Sequence, residues 1–278
     1  MSRAPVLFLL LALSLAFSRA PRAGGAVPVA TAPVVAPSIL GERPHDQSLF
    51  TQGLFAYQGR LYESAGMRGR SRLLIADPDT SAPIAVHRLA SRFFAEGADL
   101  CGREGRREVV QLTWTSGTAF RYHPESLRKI GEFRYQGEGW GLACDGERVV
   151  TSDGSATLTF RDPLTFAPLS TVRVTDHGRP IRWLNELEWL DGLLLANVWK
   201  RPRIAVIDPA TGAVRLWLDM TEAVRRSGRS GEFVLNGIAW DAAHARLYVT
   251  GKGWDRLFLV DRAWTEIARE SGARVANR

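Results

Sequence analysis

Phe50-Thr51-Gln52-Gly53-Leu54 (FTQGL) sets the phase of the whole chain. Its pattern is an aromatic or Leu, two mostly polar residues, Gly or Glu, then an aliphatic. Related stretches follow as FAEGA at 94–98, GWGLA at 139–143, LNELE at 184–188 and LNGIA at 235–239. With Gly53, Gly97, Gly141, Glu186 and Gly237 as markers, the spacings are 44, 44, 45 and 51 residues. A period of that length, filled with short β-prone runs, is the mark of a propeller with one blade per repeat. A second register supports it: DPDT at 77–80, HPES at 123–126, DPLT at 162–165 and DPAT at 208–211, with Asp261-Arg262 in the fifth repeat. Asp and Pro in these turns belong to hairpins rather than helices.

Each repeat holds about four strand-like runs. The first has LFAY, RLYESAG, SRLLIAD and PIAVHRL, and the fifth ends on DRLFLVD and TEIARE. The expected fold is all-β, a five-bladed propeller of four-stranded antiparallel blades with a site at one mouth of the central channel. An N-terminal strand around residues 33–43 is expected to pack on the last blade, which protects the open edge. A six-bladed ring is the alternative if that segment supplies more than one strand. Helical periodicity is confined to short insertions such as Met220–Arg226.

Composition narrows the class. The 278 residues are 45% hydrophobic and 23% charged, an ordinary globular balance. Of seven excess positive charges, three (Arg3, Arg19, Arg22) fall in the first 26 residues, which hold no acid. No Lys/Arg run appears, so nucleic acid is not an expected partner. Arg3 followed by VLFLLLALSLAF (6–17) reads as a secretory signal, too short for a membrane span. The expected organisation is a signal peptide over 1–26, an Ala/Pro-rich linker or edge strand over 27–38, and one propeller over 39–278. Export to a periplasm or the exterior follows, with no membrane contact after cleavage, as a monomer. An uncleaved anchor is the other reading. Cys101 and Cys144 fall on equivalent strands of neighbouring repeats, where a disulfide and two buried thiols are both compatible.

The first strand of a propeller blade lines the channel. The residues before the markers, Gln52, Glu96, Trp140, Asn185 and Asn236, are therefore expected to ring one mouth. A second in-phase set lies at the end of the next strand: Ser64, Trp114, Asp153, Trp199 and Lys252 with their neighbours. Adjacent strands are antiparallel, so both sets point to the same face. Phe93-Phe94 give Glu96 an apolar setting that raises its pKa. Any single Trp reads as core on composition alone, and Trp183, Trp189, Trp217 and Trp240 are read that way. Asn185 and Asn236 could tie down loops.

Taken together, FTQGL, YESAG, FAEGADL, QLTW, EGWGLACDG, SDGSATL, LNELEW, ANVW, VLNGIAWD and VTGKGW resemble the plant and bacterial type of glutaminyl-peptide cyclotransferase, from about His45 to Phe258. The resemblance implies a five-bladed propeller that cyclises N-terminal glutaminyl residues of peptides to pyroglutamyl with loss of ammonia. It implies no catalytic metal, although some members hold a structural calcium ion. It assigns Glu96 as general acid/base and Gln52 as a substrate-binding amide. It assigns Trp114, Trp140 and Trp199 as aromatic walls, and Asn185 and Lys252 as polar contacts. The chain departs from the family in YESAG, in the residue preceding Glu96, at Asp255 where a Pro is common, and in an insertion over 102–108. Two other classes fit the residues alone: a non-enzymatic peptide- or glycan-binding propeller, and a metal-dependent lactonase-type propeller using Asn185, Glu186 and Asn236.

Overall fold

The computed structural model describes residues 31–276. The signal-type segment and residues 27–30 of the expected linker lie outside them. Five blades, each with four antiparallel strands, form a ring, and a two-stranded ribbon, Thr175–Asp176 with Arg179–Pro180, lies outside them. From the channel outward, blade 1 is Thr51–Tyr57, Arg60–Ala65, Arg72–Ala76 and Pro83–Arg88. Blade 2 is Ala95–Cys101, Glu108–Thr113, Thr118–Tyr122 and Lys129–Arg134. Blade 3 is Leu142–Cys144, Val149–Thr151, Thr157–Arg161 and Pro168–Arg173. Blade 4 is Leu184–Leu190, Leu193–Val198, Arg203–Ile207 and Val214–Asp219. Blade 5 takes Leu235–Asp241, Arg246–Gly251 and Arg256–Val260 from the C-terminal end, and its outer strand, Ile39–Pro44, from the N-terminal end.

The middle strands are near-continuous apolar runs, such as LLLANV and RIAVI, because neighbouring blades cover both faces. The outermost strands, Pro83–Arg88 and Pro168–Arg173, are largely exposed. Each seam between blades has its own apolar cluster. Phe55 and Ile75 of blade 1 meet Val109 and Phe120 of blade 2. Leu112 and Phe133 of blade 2 meet Leu142 and Val149 of blade 3. Leu158 and Phe160 of blade 3 meet Leu194 and Ala205 of blade 4. Leu195 and Val206 of blade 4 meet Val249 and Phe258 of blade 5, and Leu54 and Leu61 of blade 1 meet Tyr248 and Leu257 of blade 5.

The markers have a steric cause. A Cβ on Gly53 would collide with the backbone of Gly97 and Ala98, one on Gly97 with Gly141 and Leu142, and one on Gly141 with Asn185. The inner strands converge there, and only hydrogen fits. Blade 4 carries Glu186 instead, whose carboxylate reaches across the channel to accept the Leu54 N–H at 3.3 Å. The second register is an Asx turn. Asp77 Oδ1 accepts the Thr80 N–H and hydroxyl, both at 2.8 Å, and Asp162 Oδ1 does the same for Thr165 at 2.8 and 2.9 Å.

Three expectations are corrected. TEIARE is no strand: Trp264–Ala276 is a helix, with Trp264 and Ala268, one turn apart, buried on the cluster that contains Met220 and Ala223. The position of a fourth strand in blade 5 is already filled by Ile39–Pro44. The N-terminal segment does not go to the last blade alone, because Val34–Val35 pair parallel with Trp217–Leu218 on the edge of blade 4. Neither strand builds a further blade, so the six-bladed alternative falls. The short helix Thr221–Ser227 lies where helical periodicity was expected.

The closing seam is latched by polar groups. His45 follows the N-terminal strand, and its Nδ1 faces the Trp254 carbonyl at 2.9 Å while Nε2 faces Glu63 Oε2 at 3.0 Å. Thr51 Oγ1 donates to the other oxygen of Glu63 at 2.7 Å. Between blades 2 and 3, Cys101 and Cys144 form a disulfide with Cα atoms 5.3 Å apart.

Candidate active site

The inner strands do not run straight into the channel mouth. The pairing register shifts between Thr51 and Gly53, Ala95 and Ala98, Leu184 and Leu187, and Leu235 and Ile238. Each shift is a bulge carrying one extra residue on the inner strand. The residues at these bulges include Gln52, Glu96, Asn185 and Asn236. A bulge re-aims a side chain, which turns a position in the ladder into one that faces the mouth. The partner strands end at the same level, where Thr51 pairs with Ala65, Ala95 with Thr113, Leu184 with Val198 and Leu235 with Gly251. Trp114, Trp199 and Lys252 come next in sequence after three of those strand ends, so both in-phase sets meet.

They enclose a pocket of about 480 Å3, within the range of small-ligand sites. Gln52, Glu96, Asn185 and Lys252 are buried in it. Trp114, Trp140 and Trp199 stand in its walls as the sequence predicted, joined by Phe50, Phe94 and Trp183. The rings pack on one another: Trp183 and Trp199 have centroids 5.4 Å apart, Trp140 and Trp199 5.9 Å, and Phe94 and Trp114 5.7 Å. Asn236 does not line the pocket. It lies beneath, donating from Nδ2 to the Thr51 carbonyl at 2.9 Å and to Gln52 Oε1 at 3.2 Å.

Glu96 is 5% exposed and its acidity is set by that position. Burial raises its pKa well above the usual carboxylate value; the Lys252 charge opposes this and Glu138 adds to it. Gln52 Nε2 donates to Glu96 Oε1 at 3.1 Å, completing a line from Asn236 through Gln52 to Glu96. The backbone of Glu96 is held from blade 1, since Ser64 Oγ donates to its carbonyl. Gln111 Nε2 donates to Ser64 Oγ at 2.8 Å, and Tyr122 OH to Gln111 Oε1 at 2.9 Å. Lys252 is also 5% exposed. Burial lowers its pKa against the pull of Glu96 and Glu232, and its Nζ lies 4.9 Å from the Phe50 ring centroid. Burial thus disfavours charge on both groups. Asn185 lines the pocket, and its Oδ1 is buried without a hydrogen-bond partner among the described residues.

Phe50, Met67, Phe94, Glu138, Trp183 and Glu232 line the pocket without having been foreseen as site residues. Glu138 Oε2 accepts the indole N–H of Trp114 at 2.7 Å and of Trp140 at 2.8 Å, tying walls from blades 2 and 3 together. It sits in a loop out of phase with the repeat; its place two residues before Trp140 was the available signal. Trp183, read as core, is 49% exposed and in the left-handed region at φ 68°. Bonds from its N–H to the Gly154 carbonyl and from the Trp199 N–H to its own carbonyl, each 2.8 Å, hold it there.

Deeper in the channel, Asp99, Glu186 and Glu188 are the other carboxyls among the described residues whose pKa is raised. Burial pushes Asp99 up to about 7 and raises Glu186 and Glu188 well above the usual range. Their oxygens face backbone N–H groups: those of Leu100 and Cys144 for Asp99, at 2.6 and 2.7 Å, and that of Leu54 for Glu186. Calcium takes six to eight oxygens. Among the described residues no group of three His, Cys, Asp or Glu side chains is arranged to hold a metal ion. A calcium ion held by three carboxylates therefore has no site among the described residues.

The chain has counterparts among known proteins. The glutamine cyclotransferase family model matches residues 9–261. A glutaminyl-peptide cyclotransferase from Arabidopsis thaliana is 37% identical over 227 residues, covering 80% of this chain and 70% of the relative. The crystal structure of Myxococcus xanthus glutaminyl cyclase superposes with a TM-score of 0.76 at 37% identity, covering 83% of this chain and 97% of that one. By sequence and by fold, the chain belongs to the glutamine cyclotransferase family.

Proposed function

We propose that the protein converts N-terminal glutaminyl residues of peptides to pyroglutamyl residues and releases ammonia, with Glu96 carrying the proton. The observation that carries this reading is a single buried carboxyl of raised pKa in an aromatic pocket, beside amide and ammonium groups. The substrate brings its own nucleophile. Its α-amine nitrogen attacks the γ-amide carbon, a C–N bond closes a five-membered lactam, and the amide C–N bond breaks. The protein's part is to fold a flexible side chain into a near-attack shape, which the Trp and Phe walls do with little polar competition. The Glu96 carboxylate takes a proton from the attacking amine and returns it to the nitrogen that leaves as ammonia. Lys252 Nζ and the Asn185 amide supply donors for the developing oxyanion. Gln52 Nε2 holds one Glu96 oxygen in place and leaves the other for the substrate. The attacking amine must be neutral, and a free α-amine titrates near ~7.7–8.0, so turnover rises toward mildly alkaline pH.

The reading assigns catalysis to side chains of the chain itself. Purified protein given Gln-Ala or Gln β-naphthylamide is expected to release ammonia, at a rate unchanged by chelator. No turnover would overturn the function, and loss of turnover on chelation would overturn the metal-free mechanism. Export is part of the same proposal. It is supported by the signal-like composition of residues 1–26 and by the Cys101–Cys144 bridge, which persists in oxidising compartments. Recovery of the protein only from the cytoplasm would refute it.

A further inference from the structure

A second cavity of about 610 Å3 adjoins the pocket and shares one residue with it, Trp183. Three other clefts share none. The adjoining groove runs over the top of blade 4. Val198 ends the second strand of that blade, Arg203 begins the third and Thr221 follows the fourth. In an antiparallel blade these three positions share one rim, the rim that carries Trp183. The floor is apolar, with Ile181, Pro202 and Trp217, and its charged lining is Arg182, Arg201 and Arg203. Arg203 feels Asp219, whose carboxylate also accepts the Thr221 hydroxyl at 2.5 Å. The guanidiniums of Arg182 and Arg201 are exposed and make no ion pair or side-chain hydrogen bond among the described residues. Trp183 is the partition between groove and pocket, kept half out of the protein by a left-handed backbone conformation that is strained for a Trp.

We infer that this groove receives the part of the substrate that follows its N-terminal Gln, and that Arg182 and Arg201 select peptides with acidic residues there. The inference rests on the proposed function. A peptide whose first residue fills the aromatic pocket leaves along an apolar path over Trp183, and the unpaired cations beyond it complement carboxylates. Both guanidiniums are solvated, so each contributes modestly and the effect is screened by salt.

The test compares a Gln-Gly-Asp-Asp-Ala amide with its Asn-for-Asp and Lys-for-Asp counterparts. Each kcat/KM is divided by that for Gln-Ala with the same protein. For the wild type at low salt the Asp peptide is expected to exceed the Asn peptide by about 3- to 10-fold, and the Lys peptide by more, chiefly through KM. The preference is expected to shrink in 0.5 M salt and to vanish in the Arg182→Gln/Arg201→Gln double variant. Equal ratios for the three peptides, with Gln-Ala turned over normally, would overturn the inference alone. So would a preference that survives in the double variant. No turnover of Gln-Ala would remove the underlying reading and this one with it.

Discussion

Replacing Glu96 by Gln removes the proposed proton carrier and little else. The amide is isosteric, and turned with its oxygen toward blade 1 it still accepts the Gln52 Nε2–H now made at 3.1 Å. The Ser64 hydroxyl bonds the backbone carbonyl of residue 96, not its side chain, so that tether is kept. The carboxyl is 5% exposed, and burial already opposes its ionisation; a neutral amide there lowers the desolvation cost. Stability is therefore expected to hold or rise slightly. The chemical step loses its general acid and base, worth roughly 10²–10⁴-fold in turnover, or about 2.7–5.4 kcal/mol of barrier. Residual turnover above the uncatalysed rate remains, because the pocket still folds the substrate. The assay is steady-state ammonia release from Gln-Ala across pH 6–9, with thermal unfolding measured on the same samples. In the variant the rate should follow the substrate amine alone, near ~7.7–8.0. A kcat within about tenfold of wild type would place the proton shuttle elsewhere. A loss of activity matched by a loss of folded protein would make Glu96 structural.

The charges around Glu96 should move its ionisation in opposite senses: Glu138→Ala lowers the Glu96 pKa and Lys252→Met raises it, since Glu138 pushes it up and Lys252 holds it down. The acidic limb of the kcat profile reads both shifts; no displacement in either variant would mean the limb belongs to another group. For His45, burial pushes the pKa down, but the Glu63 carboxylate and the Trp254 carbonyl more than offset this and hold it above 6.5. A raised folded pKa stabilises fully below the unfolded value and the benefit is lost as pH rises through the folded one, so unfolding temperature should fall on the alkaline side. His45→Gln should be less stable near pH 6 and flatten that decline; an unchanged slope would count against a charged His45. The bridge between Cys101 and Cys144, 43 residues apart, should contribute about 2–4 kcal/mol through the unfolded chain. Urea unfolding with and without reductant measures it, and coincident curves would refute it.

What the sequence shows of this fold is what steric necessity repeats. Gly53, Gly97 and Gly141 recur because a Cβ at any of them meets the next inner strand, and the Asp-Pro turns recur because the Asp side chain closes them. Residues tied to that phase, Gln52, Glu96, Trp114, Trp140, Asn185, Trp199 and Lys252, were therefore legible as one group at one mouth. Groups outside the phase were not. Glu138 reaches two indoles from an irregular loop, and nothing in its type foretells that. Trp183 looked like core because a large aromatic usually is; its left-handed backbone is fixed by bonds to Gly154 and Trp199 that no local pattern encodes. His45 and Glu63 meet only because the N-terminal strand closes the ring. TEIARE reads equally as a short strand or a helical turn, and the choice was made far away, by Ile39–Pro44 filling the outer edge of blade 5.

The bulges join fold to chemistry. A regular inner strand would alternate its side chains between the two neighbouring blades, and every polar residue at the mouth would face a hydrophobic seam. One extra residue in each of four strands breaks that alternation where the ring is narrowest. The glycines or Glu186 beside them absorb the close approach. The break lets Gln52, Glu96 and Asn185 turn toward the pocket while the strands below them go on to pack the seams. It also isolates Glu96 from water, since the packed ring that admits the bulge surrounds it. The raised pKa of Glu96, on which its proposed proton-carrying role rests, is thus a consequence of where a five-bladed ring can tolerate an irregular residue. The aromatic walls come instead from just beyond the strands: Trp114 and Trp199 follow the second strands of blades 2 and 4, and Trp140 and Trp183 precede the inner strands of blades 3 and 4.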